Sequence, residues 1–362
     1  MSQLRTGGVR GVRGRHREAV ASVAVDTASF DYELPDDRIA QRPLAERDAA
    51  RLLVDEGPTR PASHRTVRDL PDLLEPGDLL VVNTTRVLPA RLHLRKATGG
   101  AAEVLLLERL QGTAWEALVR PGRRLPPGTE LRPPTGADLR VVVGDELGDG
   151  RRQVELEVVG DERAVLERHG EVPLPPYITD VLEDPERYQT VFAERPASAA
   201  APTAGLHLTP EVLARCEAKG VARAQVELVV GLGTFRPIST ETVEDHEMHS
   251  EQYRVPEETA ALCAETSGAG HRVVAVGTTT VRALESAAAT GELAGRTRLF
   301  ITPGFEFRVV DRLLTNFHLP RSSLLVMIEA FVGPRWRELY AAALVEGYRF
   351  LSFGDAMLLS RR

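Results

Sequence analysis

The chain has 362 residues, 43% of them hydrophobic, and a formal net charge of −7. That length accommodates two or three domains, and that apolar fraction supports a packed core, which excludes an intrinsically disordered chain. The acidic balance excludes a protein coated in positive charge, though not local basic patches.

Lys96 and Lys219 are the only lysines among 45 basic residues. Lys96 is followed by Ala97 and Lys219 by Gly220, so the Gly-Lys-Ser/Thr of a P-loop is missing. Cys216 and Cys263 are the only cysteines. They are too few for a disulfide framework, a cysteine-rich zinc site or a three-cysteine iron–sulfur motif. A reducing, cytoplasmic location is the expectation. No stretch reaches the roughly 18 apolar residues of a membrane span, so no membrane partner is expected. Residues 1–28 carry Arg5, Arg10, Arg13, Arg15 and Arg17 among glycines and lack a signal peptide's apolar core. They read as a flexible arginine-rich leader.

Folded sequence is expected from Phe30-Asp31-Tyr32. Residues 38–51 read as a polar helix or turn region, and Arg51-Leu52-Leu53-Val54 as a strand. Leu79-Leu80-Val81-Val82 is a continuous apolar run, as in a buried strand. It ends in Asn83-Thr84-Thr85-Arg86, and polar side chains at the end of a buried strand commonly place a site. Between 90 and 160 short apolar stretches recur at 102–107, 115–119, 139–143 and 153–158, separated by Pro- and Gly-rich turns. Closely spaced strands without a helical period predict an inserted β-domain, a small barrel or sandwich. Residues 161–169 read as a short helix, and 173–178 as a stiff extended segment.

The stretch 202–235 holds a loop with hydroxyl and imidazole groups, Pro202-Thr203-Ala204-Gly205-Leu206-His207. Thr209 sits where an N-cap belongs, Pro210 at the first helical position, and Gly220 closes the helix. Residues 226–230 then read as a strand delivering Gly231-Leu232-Gly233-Thr234-Phe235, a turn where backbone can approach a ligand. His246 and His249 are spaced to share a helix face. A third histidine at a recognised spacing is missing, so no metal is expected. The final third alternates strands and helices: a strand at 272–276, Gly277-Thr278-Thr279-Thr280, a helix at 281–289, a strand at 299–301 and an apolar helix at 322–332. The threonines suit a helix cap or an anion at the helix N-terminus, and Arg282 is spaced to pair with Glu285. This alternation predicts an α/β main domain.

Together, several motifs resemble one family, the S-adenosylmethionine:tRNA ribosyltransferase-isomerases of queuosine biosynthesis. The matching pieces begin at Asn83 to Arg91, Pro173 to Ile178, Tyr188-Gln189-Thr190, Ala201 to His207 and Gly231 to Phe235. They continue through His246 to Glu251, Ala275 to Arg282, Pro303-Gly304, Thr315 to Pro320 and Phe353 to Met357. They occur in the family's order. The resemblance implies an α/β domain, residues 29–89 and 161–362, with a small β-barrel inserted at 90–160. It implies S-adenosylmethionine as co-substrate, no metal, and a tRNA carrying a 7-deazaguanine base as partner. The products would be epoxyqueuosine-tRNA, adenine and methionine. A monomer is expected.

Within that reading His207, His249 and His318 are candidates for proton transfer, because imidazole titrates near neutral pH. Thr203, Thr234, Thr278 and Thr279 are candidates to hydrogen-bond ribose or the methionine carboxylate. Gly205, Gly231, Gly233 and Gly277 would let main chain approach the co-substrate. Arg86, Arg91 and Arg282 suit a carboxylate or RNA phosphate, and Asn83, Asn316 and Asp355 base edges. Three positions depart from the family pattern: Val229 replaces a histidine, Arg236 a glutamine and Leu208 a phenylalanine. Valine cannot transfer a proton, so a paralogue acting on a different deazapurine or acceptor and a non-catalytic RNA-binding protein on the same fold are alternatives. A Rossmann-type methyltransferase is disfavoured, because Arg236 stands where the last glycine of its loop belongs.

Overall fold

Two sheets organise the chain. The computed structural model describes residues 25–148, 150–231 and 237–362. The larger sheet has nine strands, with Leu79–Asn83 near its centre. Ala222–Leu228 and Val273–Val276 pair with it in parallel on either side, and Arg312–Asn316 pairs in parallel with Val273–Val276. Ala356–Ser360 runs antiparallel beside Arg312–Asn316. Four neighbouring parallel strands therefore end along one edge.

The apolar run at Leu79–Val82 is continuous because both sheet faces are covered. Leu79 and Val81 join one hydrophobic core with Val273, Ala275 and Leu313. Leu80 and Val82 join another with Val274, Val276 and Leu314. Alternate residues of a strand point to opposite faces, so each strand feeds both cores. The helix Pro210–Ala218 covers the second core with Val212, Leu213 and Cys216. Its start follows the sequence, since the Thr209 side chain accepts from Val212 N at 3.2 Å and Pro210 opens the helix. The helices Thr278–Thr290 and Ser323–Val332 contribute Val281, Leu284, Val326 and Phe331 to the first core.

The second sheet is a closed barrel of six strands from Arg91–Lys96 to Arg151–Val158, sealed by pairing of Arg91–Lys96 with Glu130–Arg132. Leu92, Val104, Leu131, Val141 and Leu156 fill its core. A further short strand, Gly170–Glu171, pairs with Leu92 and Arg91, so barrel pairing extends past residue 160.

Several local expectations change. Ordered packing begins at Val25, in the last four residues of the expected leader, and continues into Phe30, where folded sequence was expected. Thr27 and Phe30 are buried, and Asp26 bridges to Thr242. Residues 1–24 lie outside the described residues. The strand expected at 299–301 lies instead at Ala294–Thr297. His246 and His249 sit on irregular backbone, not on a helix. Among the described residues no helix is long and apolar enough to cross a membrane.

Candidate active site

A cleft opens at the carboxyl ends of the parallel strands, where ligands bind in open α/β sheets. It holds about 600 Å³, counted out to solvent at its mouth. Thr203, Gly277, Thr278, Thr279, Asn316 and His318 all line it. Segments more than a hundred residues apart in sequence thus contribute to one wall.

Each of these positions has a local cause. Gly277 adopts φ 88° between the strand Val273–Val276 and the helix Thr278–Thr290, a conformation that favours glycine. That turn aims the helix N-terminus at the cleft. The helix carries no side-chain cap and no acidic residue in its first turn, which leaves its positive end free for an anion. The third threonine, Thr280, bonds back to Val276 O at 2.7 Å and faces inward. The Thr203 hydroxyl donates to Asn316 Oδ1 at 3.0 Å, and Asn316 Nδ2 donates to Leu351 O at 3.1 Å. Leu351 holds φ 68°, a conformation that costs a non-glycine residue about 1–2 kcal/mol.

His318 is buried and lies 3.1 Å from Thr315 Oγ1 through Nε2. Its backbone N–H donates to Tyr340 Oη at 3.0 Å, and its carbonyl accepts from Tyr32. Tyr32, Phe317, Tyr340 and Phe350 pack edge-on or tilted behind it. Burial pushes its pKa down to about 3, so the ring is neutral at physiological pH. Nδ1 has no hydrogen-bond partner among the described residues.

The other two histidines are elsewhere. His207 Nδ1 lies 3.1 Å from Ala204 O, and Nε2 lies 2.9 Å from Gly354 O. Both ring nitrogens are occupied by main chain, and the residue lines a separate depression. Burial lowers its pKa, opposed by the two carbonyls. His249 is exposed and does not line the cleft. It depresses the pKa of His246, whose burial is the larger cause.

Asn83 spends its side-chain hydrogen bonds on the protein itself. Its Nδ2 donates to Leu228 O at 3.1 Å and Thr279 Oγ1 at 3.2 Å, and its Oδ1 accepts from Thr85 N at 3.1 Å and Leu228 N at 3.3 Å. It ties two strand ends to the helix and orients Thr279. Asp355 likewise accepts from Arg51 N at 2.9 Å and Arg349 N at 2.8 Å. Gly205 is required by packing, since a Cβ there would stand 2.7 Å from the Phe192 ring. Gly231 lies beside the cleft residue Val230, its N–H donating to Glu251 at 3.4 Å. Gly233 and Thr234 lie outside the described residues.

Arg282 is buried and pairs with Glu251, not with Glu285. Glu285 instead accepts from the backbone N–H groups of Arg308, Val309 and Val310. Burial pushes the Arg282 pKa down to about 10, which keeps it charged. Arg86 and Arg91 lie in a second groove beside the barrel, where Arg86 pairs with Glu186. Tyr177 and Ser352 are among the cleft residues missing from the candidates drawn from the sequence. They hydrogen-bond at 2.7 Å across the cleft wall, and burial raises the Tyr177 pKa. Tyr177 lies within a segment read as stiff and as part of the family resemblance, without a role for its hydroxyl, and nothing in sequence spacing marks Ser352. Among the described residues no group of three His, Cys, Asp or Glu is placed to hold a metal ion.

Fold and cleft define an α/β protein with its site at the carboxyl ends of a parallel sheet and a closed barrel inserted into the chain. The model of the family described as queuosine biosynthesis protein matches residues 27–359, and the chain belongs to that family. It is 51% identical over 336 residues to the S-adenosylmethionine:tRNA ribosyltransferase-isomerase of Thermotoga maritima, covering 92% of this chain and 99% of the relative. The enzyme of that name from Rubrobacter xylanophilus is 53% identical over 334 residues, with 92% and 97% covered. A crystal structure of S-adenosylmethionine tRNA ribosyltransferase from Thermotoga maritima is similar at 41% identity with a TM-score of 0.53, covering 91% of this chain and 99% of that one.

Proposed function

We propose that the protein transfers and isomerises the ribosyl part of S-adenosylmethionine onto 7-aminomethyl-7-deazaguanine in tRNA, releasing adenine and methionine. The observation that carries this reading is one cleft assembled from Thr203, Thr278, Thr279, Asn316 and His318, in a chain 51% identical to an enzyme of that name across nearly its whole length.

The free N-terminus of the helix Thr278–Thr290 suits the methionine carboxylate. Thr203 and Asn316 offer hydroxyl and amide groups to a ribose. The sulfonium acidifies the adjacent C5′ hydrogens. A base removes one, collapse of the sugar expels adenine, the amine of the modified base attacks C5′, and epoxide closure releases methionine. Of the three candidate histidines, His318 is the one in the cleft. Its low pKa makes it a weak base in the free protein. An anion bound in the same cleft raises that pKa and brings it closer to the working range. The apolar walls, Phe317, Leu324 and Leu351 among them, limit water around a reactive intermediate.

The departure at Val229 does not strip the cleft, because its neighbour Val230, not Val229, lines the wall. This favours the catalytic reading over a binding protein that kept the fold. The test incubates the protein with S-adenosylmethionine and tRNA carrying the aminomethyl base, then measures adenine, methionine and nucleoside mass. Adenine with epoxyqueuosine-tRNA is expected. S-adenosylhomocysteine would mean methyl transfer, and intact co-substrate would mean a binding protein; either result overturns the reading.

A further inference from the structure

On the far side of Ser352 from the cleft lies a smaller depression of about 280 Å³, counted out to solvent. Ser352 lines both spaces. Arg47, Arg187 and Arg349 converge there from three distant segments. All three are half-buried.

Several other sequestered arginines are neutralised directly: Arg282, Arg272 and Arg335 each pair with a carboxylate. The three in the depression are held by main-chain carbonyls, which orient a guanidinium without neutralising it. Buried Arg312 likewise donates to a main-chain carbonyl, Leu73 O at 2.9 Å. Arg47 Nη1 donates to Gln189 O at 2.8 Å and Leu206 O at 3.1 Å, and its Nη2 donates to Glu186 O at 2.9 Å. Arg187 donates to Ala45 O at 3.1 Å and to Leu44 O. Arg349 donates to Arg42 O at 3.2 Å and Phe353 O at 2.8 Å. A guanidinium has five N–H donors, so each retains some. Arg187 Nε is buried without a partner.

Nearby carboxylates bond first to other groups, although the charges of Asp184 and Glu186 still partly offset the lowering of the Arg47 pKa. Glu186 pairs with Arg86, Asp184 accepts from Glu186 N, and Asp355 accepts two backbone N–H groups. Three like charges thus share one small space on an acidic protein. After burial, the charge of Arg187 is the next cause that lowers the Arg47 pKa.

We propose that Arg47, Arg187 and Arg349 form a phosphodiester-binding site that seats a backbone phosphate of the RNA substrate beside the nucleotide whose base enters the cleft. This rests on the reading that the acceptor is tRNA. Arginine forks match phosphate oxygens bidentately. Sequence-specific RNA recognition splays a loop base into a pocket and holds the flanking backbone. The shared wall at Ser352 places the two subsites next to each other.

The test measures binding of a fluorescein-labelled tRNA anticodon stem-loop across a KCl series, using the full chain. Arg187→Gln and Arg349→Gln are compared with wild type, with Arg187→Lys to keep charge and thermal melts to verify folding. Each Gln variant is expected to weaken binding about tenfold or more. Each is also expected to flatten the log Kd against log salt slope by about 0.7. Arg187→Lys retains the slope. Neutral methylphosphonate at successive linkages then weakens wild-type binding at one linkage, and that penalty vanishes in Arg187→Gln. Folded Gln variants with the wild-type slope and the wild-type linkage profile would overturn the site. Adenine release is followed separately. If wild type binds RNA this way without releasing adenine, the activity reading falls and the phosphate site stands.

Discussion

The barrel and the cleft spend their polar groups differently. On the barrel, charged side chains answer one another across strands: Arg140 with Glu130 and Glu157, Arg151 with Glu116. In the cleft, Thr203, Asn316 and His318 each use a hydrogen bond to fix their own position while lining open space. Backbone conformation follows the same division. Among the described residues the two non-glycine positions with positive φ are Leu351, in the cleft wall, and Arg321, two residues beyond the cleft residue Leu319. Satisfied pairs make a stable surface, whereas held but unsatisfied groups and local strain mark a binding site.

Acid should separate the two regions most strongly. The folded pKa of His318 is about 3, below the ordinary 6.5. The unfolded chain therefore binds the extra proton first. Stability from neutral His318 is complete above pH 6.5 and is lost as pH falls towards 3. At about 1.4 kcal/mol per unit, the loss reaches several kcal/mol. Urea titrations from pH 7 to 4 should show this slope in wild type and a much flatter one in His318→Gln. An equal slope in both would remove His318 as the buried neutral group.

Glu251→Gln comes next. It leaves Arg282 charged and buried without its counter-ion, at a cost of about 3–5 kcal/mol. Chemical denaturation checks this, and a change below 1 kcal/mol would show the pair to be solvent-relaxed. Asn83→Ala removes three buried hydrogen bonds and a part-buried one to Thr279 and is expected to cost about 1–3 kcal/mol. Co-substrate affinity should fall with it, because Thr279 loses its anchor. The helix Glu162–His169, packed on the barrel through Val165 and Leu166, sets the low end. Arg163→Gln breaks an exposed i,i+4 pair with Glu167 and should change stability by no more than about 0.5 kcal/mol, with turnover unchanged.

Much of this frame was legible in the chain. The apolar run before Asn83, the strand before Gly277 and the caps around the helix Pro210–Ala218 follow from local chemistry that acts over a few residues. The recurring short strands likewise pointed to an inserted β-domain, and the family resemblance to its closure as a barrel. Side-chain direction was less legible. Asn83, Asp355 and His207 are polar groups at the ends of elements, as a site requires, yet tertiary backbone consumes their hydrogen bonds. Arg282 was spaced for Glu285, but the helix turned it towards Glu251. Tyr177 and Ser352 meet only because two loops fold over the same strand ends. Such long-range pairings leave no periodic trace in sequence.

Single-turnover adenine release with saturating S-adenosylmethionine and aminomethyl-deazaguanine tRNA, comparing wild type with His318→Ala, probes the cleft most directly. The proton-transfer role predicts that the variant still binds the co-substrate but releases adenine about 10²–10⁴-fold more slowly. Adenine release by His318→Ala at the wild-type rate would contradict it.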